Sequence, residues 1–273
     1  MRTYKIMNRI EQKFTALRVA GQKGFVAYIC AGDPHLKATA ALAREFERVG
    51  VDVLELGIPF SDPLADGVVN QLAAERALHS GTTLDGVLNT VSQLRRVGCQ
   101  IPIVFYIYFN LIHRHGVECF AKDAAAAGVD GALALDLPPE EAAGYERAMK
   151  QAGLCPIYLI APTTPEERVT EICRHASGFI YYVSREGVTG MQKTVSVSIA
   201  PMLATIRRHT ALPVAVGFGV STPEQAVEVA LNGDAVVVGS AIVNQIAKGR
   251  SAKTVARFVA PMVKAVKHAC PRR

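Results

Sequence analysis

The sequence predicts an α/β fold, a (β/α)8 TIM barrel spanning residues 1–273, with an extra N-terminal helix and a long loop after strand 2. Three observations carry this expectation. Eight short apolar runs rich in β-branched residues alternate with helical patterns along the chain. The 273 residues suit a barrel of roughly 250. Glycine-rich turns follow the seventh and eighth runs, where barrel enzymes often bind phosphate. An open doubly wound sheet is the alternative reading of the same alternation.

The strands are expected at Phe25 to Ile29, Val51 to Leu56, Ile103 to Tyr106 and Gly131 to Leu135. The rest are expected at Pro156 to Ile160, Phe179 to Val183, Val214 to Val216 and Ala235 to Val238. They are apolar on both faces, as parallel strands covered by helices should be. Between them, Leu42, Phe46 and Val49 fall on one helical stripe. Thr164, Pro165 and Glu167 read as an N-cap, a first-turn proline and a capping-box acid, and Thr222-Pro223 repeats the device. Gly233 marks the stop of the helix that Thr222 opens. Residues 8 to 20 read as a helix that plugs the barrel bottom. The connection 57 to 82 is expected to carry its own helix from Val68 to Leu78.

Composition sets limits on function. Lys and Arg number 30 against 24 Asp and Glu, for a net charge of +6, but the basic residues are scattered and no basic run is interleaved with aromatics. No nucleic-acid partner is expected. The six cysteines form no CxxC pair and read as reduced thiols. Neither a signal peptide nor a membrane span is visible, so a cytoplasmic location is expected. His113 and His115 read as a polar helix start, and no metal site is expected. The absence of lysine from every strand leaves a Schiff-base aldolase without a nucleophile.

Three segments carry chemistry. Glu55 closes an apolar strand, where alternation groups it with Val51 and Val53 and opposes it to Leu54 and Leu56. On an inward face it becomes a buried carboxyl at the barrel mouth, with a raised pKa suited to donating a proton. Asp66 follows in the long loop. Taken alone, Glu55 could be held by backbone or arginine and Asp66 could be a turn residue before Gly67; together they suggest acid/base work. Gly217-Phe218-Gly219 and Gly239-Ser240 follow strands seven and eight, with a short helix expected from Ala241 to Ala247. Backbone N–H groups there suit a phosphate. Ser184 to Gly190, after strand six, reads as a lid.

The stretch from Leu54 to Gly67, LELGIPFSDPLADG, resembles the signature of the tryptophan synthase α subunit. The similarity runs nearly end to end through Gly32-Asp33-Pro34, Tyr108-Phe109-Asn110, Ala161 to Thr164, Tyr181 to Arg185, Gly187 to Gly190, Val216 to Gly219 and Val238 to Ala241. The resemblance implies a lyase of tryptophan biosynthesis that cleaves indole-3-glycerol phosphate to indole and glyceraldehyde 3-phosphate. By it, Glu55 is the general acid and later the base, and Asp66 accepts the indole N–H. It places Tyr28, Tyr108 and Leu135 around the indole, Tyr181 beside the glycerol chain and Thr189 in the lid. It assigns Gly190, Gly219, Gly239 and Ser240 to the phosphate. It puts Pro59, Asp62, Asn110 and Asp136 near the interface with a β subunit in an α2β2 heterotetramer. Pyridoxal phosphate is then expected only in that β partner, with no cofactor in this chain. A stand-alone lyase releasing indole and a weakly catalytic regulatory subunit are the competing readings. Val68, in place of a common proline, Asn70, in place of a common apolar residue, and the stretch Met191 to Ile199 depart from the family pattern.

Overall fold

The structure, a computed structural model, describes residues 7–183 and 195–269, with no side-chain description for 195–198. Among these residues eight parallel strands close into a barrel in sequence order. They are β1 (Gly24–Cys30), β2 (Val53–Gly57), β3 (Ile103–Ile107), β4 (Gly131–Ala134), β5 (Cys155–Ile160), β6 (Ile180–Val183), β7 (Val214–Gly217) and β8 (Ala235–Val238). The helices are α1 (Arg9–Val19), α2 (Leu36–Arg48), α3 (Val68–His79), α4 (Leu84–Arg96), α5 (Phe109–His115) and α6 (Val117–Ala127). They continue with α7 (Ala143–Gln151), α8 (Glu166–His175), α9 (Val195–His209), α10 (Pro223–Asn232), α11 (Ser240–Ala247) and α12 (Ala252–Lys267).

Strand alternation sorts the apolar residues into two layers. Leu54 and Leu56 point outward and pack beneath the helices with Phe46, Phe105 and Val216. Val26, Val53, Val104, Leu133, Ile157, Phe179 and Val237 fill the interior. The lower end of that interior is sealed by Ile10, Phe14 and Leu17 of α1, with Phe14 ring to ring against Phe179 at 5.6 Å. Asn8 and Glu11 form a capping box at the start of α1. The expected N-terminal plug is therefore present.

Three aspartates staple the bottom edge. Asp52, Asp130 and Asp234 immediately precede β2, β4 and β8, and each accepts the N–H that opens, or nearly opens, the strand before: Phe25 at 2.9 Å, Ile103 at 2.8 Å and Val214 at 2.9 Å. Asp130 also takes Arg9 and Arg95, each at 2.9 Å, and Asp52 takes both of its 2.6 Å contacts from Lys267. These bonds join residues far apart in sequence, so no local pattern announces them.

Some expectations need correction. Val51 does not share a face with Val53 and Glu55, because it lies before β2 in the stop of α2. Gly50 there adopts φ +88°, and the Val51 N–H closes back on the Phe46 carbonyl at 3.0 Å. Thr164 does not cap α8. Its hydroxyl accepts the Ala161 N–H at 3.0 Å inside a turn, and Pro165 becomes the cap residue, which places Glu167 outside a capping box. His113 and His115 close α5 rather than open a helix, and His115 contacts Asp123 at 2.8 Å. Thr222 does cap α10, accepting the Gln225 N–H at 3.3 Å. No helix of the described residues is long and apolar enough to cross a membrane.

Candidate active site

The C-terminal ends of the strands build a mouth unlike the sealed bottom. Register places Glu55 beside Tyr28 of β1 and Val104 of β3, on the interior face. Its side chain is 1% exposed, and neither carboxyl oxygen has a hydrogen-bond partner. An ionised carboxylate left so is costly, and the physical response is to keep its proton. Burial first, and the nearby Asp66 charge second, push its pKa up to about 8.

Asp66 stands in the loop between β2 and α3, close enough to Glu55 for repulsion. Burial raises its pKa, and hydrogen bonds from Tyr108, Asn70 and Tyr106 pull it back. Tyr108 is the cap residue of α5 and donates from its hydroxyl to Asp66 Oδ2 at 2.9 Å. That hydroxyl also accepts the Ala65 N–H at 2.9 Å, and the ring lies 5.2 Å from Phe60. The two carboxyls therefore differ: one is buried and unpartnered, the other is hydrogen-bonded and nearer to solvent.

Aromatic side chains surround them. The Tyr28 and Tyr106 rings meet edge-on at 5.2 Å. Close approach of Tyr28 leaves room only for glycine at position 57, where a Cβ would lie 2.3 Å from the Tyr28 hydroxyl. Tyr181 of β6 is buried in the interior, its hydroxyl raised well above the ordinary value by burial and by the charges of Glu55 and Asp66. Leu135 sits just beyond β4 and packs against the same interior cluster.

Gly219 and Gly239 follow the adjacent strands β7 and β8. Gly219 has φ +68°, with nothing near the position its Cβ would occupy. Gly239 caps α11 without a side-chain bond, and Ser240 opens that helix. The first N–H groups of a helix have no partner within it, so α11 presents donors at the mouth. Thr189 and Gly190, like the rest of the expected lid, lie outside the described residues.

Of the expected interface residues, Asp62, Asn110 and Asp136 are exposed after β2, β3 and β4, whereas Pro59 is buried within the chain. Asp136 is fixed by accepting the Phe109 N–H at 2.6 Å.

Sequence reasoning missed Tyr106 and saw in Asn70 a departure beside Asp66 that bears on loop closure, not a donor to it. Alternation from Val104 could have placed Tyr106 inside the barrel. The four-residue spacing of Asp66 and Asn70, one helical turn, is the local signal that could have joined them.

The profile of the family described as "Tryptophan synthase alpha chain" matches residues 14–270. The tryptophan synthase alpha chain of Opitutus terrae is 52% identical over 88% of this chain and 90% of that protein. That of Geobacter sulfurreducens is 48% identical over 96% and 99%. The crystal structure of tryptophan synthase subunit alpha from Legionella pneumophila superposes with a TM-score of 0.88 at 38% identity, covering 96% of this chain and 99% of that one.

Proposed function

The chain belongs to the tryptophan synthase alpha chain family, which cleaves indole-3-glycerol phosphate in tryptophan biosynthesis, and on that premise we propose how its barrel mouth performs the step. Glu55 acts as the acid and then as the base, and Asp66 holds the indole nitrogen. The observation that carries this reading is the unpartnered Glu55 carboxyl, held protonated up to about pH 8 beside a hydrogen-bonded Asp66.

The substrate lies across the mouth, its ring between Tyr28, Tyr108 and Leu135 and its phosphate at Gly219, Gly239 and Ser240. Gly190 and Thr189 complete the enclosure in this reading. The Glu55 carboxyl passes its proton to the ring carbon that bears the glycerol chain. Positive charge develops on the ring nitrogen, and the Asp66 carboxylate accepts the N–H and stabilises it. Glu55, now ionised, takes the proton from the neighbouring glycerol hydroxyl. The carbon–carbon bond breaks, its electron pair returns to the ring, and the new carbonyl belongs to glyceraldehyde 3-phosphate. Glu55 ends protonated, as it began. Tyr181 lies at the glycerol side, where its neutral hydroxyl can donate to an oxygen of the chain. Proton transfers of this kind contribute roughly 10²- to 10⁴-fold each.

The partner in this reading is a β subunit, in an α2β2 assembly, docked on the rim that carries Asp62, Asn110 and Asp136. Leu64 supports it: this leucine is 93% exposed in the Asp66 loop, an apolar side chain suited to burial by another chain. Pro59 serves from beneath by fixing the loop. The pyridoxal-phosphate chemistry belongs to that partner, and the assembly works in the cytoplasm. The test is indole release from indole-3-glycerol phosphate by the purified chain, with and without a β subunit. Turnover that rises with the β subunit is expected; no indole under either condition would overturn the assignment.

A further inference from the structure

Asp66 is held on more sides than a loop aspartate needs. Tyr108 donates to Oδ2 at 2.9 Å. From the first turn of α3, Asn70 donates its amide to Oδ1 at 3.4 Å, and Gln71 donates to the Asp66 main-chain carbonyl at 2.8 Å. Consecutive helix residues thus hold the side chain and the backbone of one acid. The loop itself supplies little: Gly67 caps α3 without a side-chain bond, and the exposed Val68 opens the helix.

Asn70 is also under-satisfied. Its Oδ1 is buried without a partner, one of four such side-chain atoms among the described residues, and two of the others are the Glu55 oxygens. A buried polar atom left unpaired gives up its hydration without a replacement bond and destabilises the fold. An apolar side chain would avoid that cost on a helix whose next inward residues, Ala73, Ala74 and Ala77, pack with Tyr28 and Cys30. Among the described residues, the one side-chain hydrogen bond that Asn70 makes goes to Asp66, which points to a role at that carboxylate.

We propose that Asn70 is a positioning residue for Asp66: its amide fixes Oδ1 while Tyr108 fixes Oδ2, setting the carboxylate plane and keeping it ionised for the ring N–H. This deepens the reading of Asp66 given above and rests on it. The groups facing Asp66 are Tyr28 and Cys30 from β1, Glu55 from β2, Tyr106 and Tyr108 from β3 and its end, and Tyr181 from β6. All are acids or neutral hydroxyls and thiols, so each charge among them opposes ionisation of Asp66. The donors Asn70, Tyr108 and Tyr106 are what favour it.

The test compares the full chain with Asn70→Leu, which removes the donor at similar size, and Asn70→Asp, which keeps the shape and adds a like charge. Two readouts are taken: pH profiles of kcat and KM, and the carboxyl 13C titration of Asp66 without substrate, assigned through Asp66→Asn. Asn70→Leu is expected to lower kcat/KM about tenfold, the low end for one long hydrogen bond to a charged group, mostly through kcat. It should move the acid limb and the Asp66 titration to higher pH, and Asn70→Asp should move both further. If Asn70→Leu does not fold, Asn70→Ala takes its place with the same expected shift, since it removes the donor without adding a charge. A titration in the folded variants that overlays wild type overturns the inference, even where the rate falls. If wild type releases no indole, the lyase reading fails, while the titration still judges the Asn70–Asp66 bond.

Discussion

The barrel buries a carboxylate at each end and treats the two in opposite ways. At the bottom, Asp130 is 2% exposed and receives Arg9, Arg95 and the Ile103 N–H. At the mouth, Glu55 is 1% exposed and receives nothing. Burial is the same; satisfaction is not. The lower site spends its polar groups on closing the strands, beneath a plug of Ile10, Phe14 and Leu17. The upper site leaves a carboxyl that lowers its energy by keeping a proton. Equal burial therefore marks structure in one place and chemistry in the other, and hydrogen-bond accounting separates them.

Substitution at the two ends should break apart accordingly. Glu55→Gln keeps shape and burial but removes the transferable proton, so indole release should fall by about 10³-fold or more in steady-state assays. Asp130→Ala leaves the Ile103 N–H unpaired and takes from Arg95 its carboxylate, leaving that charge only the Gly128, Cys99 and Ile101 carbonyls, and chemical denaturation should show a loss of about 3 kcal/mol with the turnover of folded chain unchanged.

Stability against pH sharpens the contrast. The folded-state pKa of Glu55, about 8, lies above its unfolded value near 4.5. The folded chain then binds more protons than the unfolded chain between those values, so this group's contribution declines from about pH 4.5 and is fully lost above about 8. Glu55→Gln escapes the decline. Its unfolding free energy should match wild type near pH 4 and exceed it at pH 9 by an amount on the order of a few kcal/mol. A functional residue whose removal stabilises the fold is the opposite of Asp130. The smallest effect belongs to Tyr108→Phe, which retains the ring against Phe60 and loses the donor to Asp66. A drop in kcat/KM of about tenfold, with an unchanged melting temperature, is expected.

Much of the lower-resolution picture was legible from local pattern. Alternation and turn glycines located all eight strands to within two residues, and the Thr222-Pro223 cap was read correctly. Alternation set Glu55 opposite Leu54 and Leu56, but which face points inward came only with the barrel, where Glu55 lies beside Tyr28 on the interior. What escaped was long-range or competitive. Asp130 and Ile103 meet across 27 positions, and Asp66 and Tyr108 across 42. Thr164 had two uses for its hydroxyl, and the turn to Ala161 won. Val51 carried strand composition but was consumed by the helix stop at Gly50. Family resemblance implied an indole N–H acceptor at Asp66 and an indole wall at Tyr108, but neither the Tyr108 hydrogen bond to Asp66 nor the one from Asn70, which departs from the family pattern.

The proposed chemistry requires that Glu55 be protonated at neutral pH in the resting chain. Isotope-edited infrared or 13C titration of that single carboxyl, assigned through Glu55→Gln, reads it directly. An apparent pKa of about 8 is expected, so that the neutral acid predominates at pH 7. A titration in the ordinary carboxylate range, with Glu55 ionised at pH 7, would contradict it.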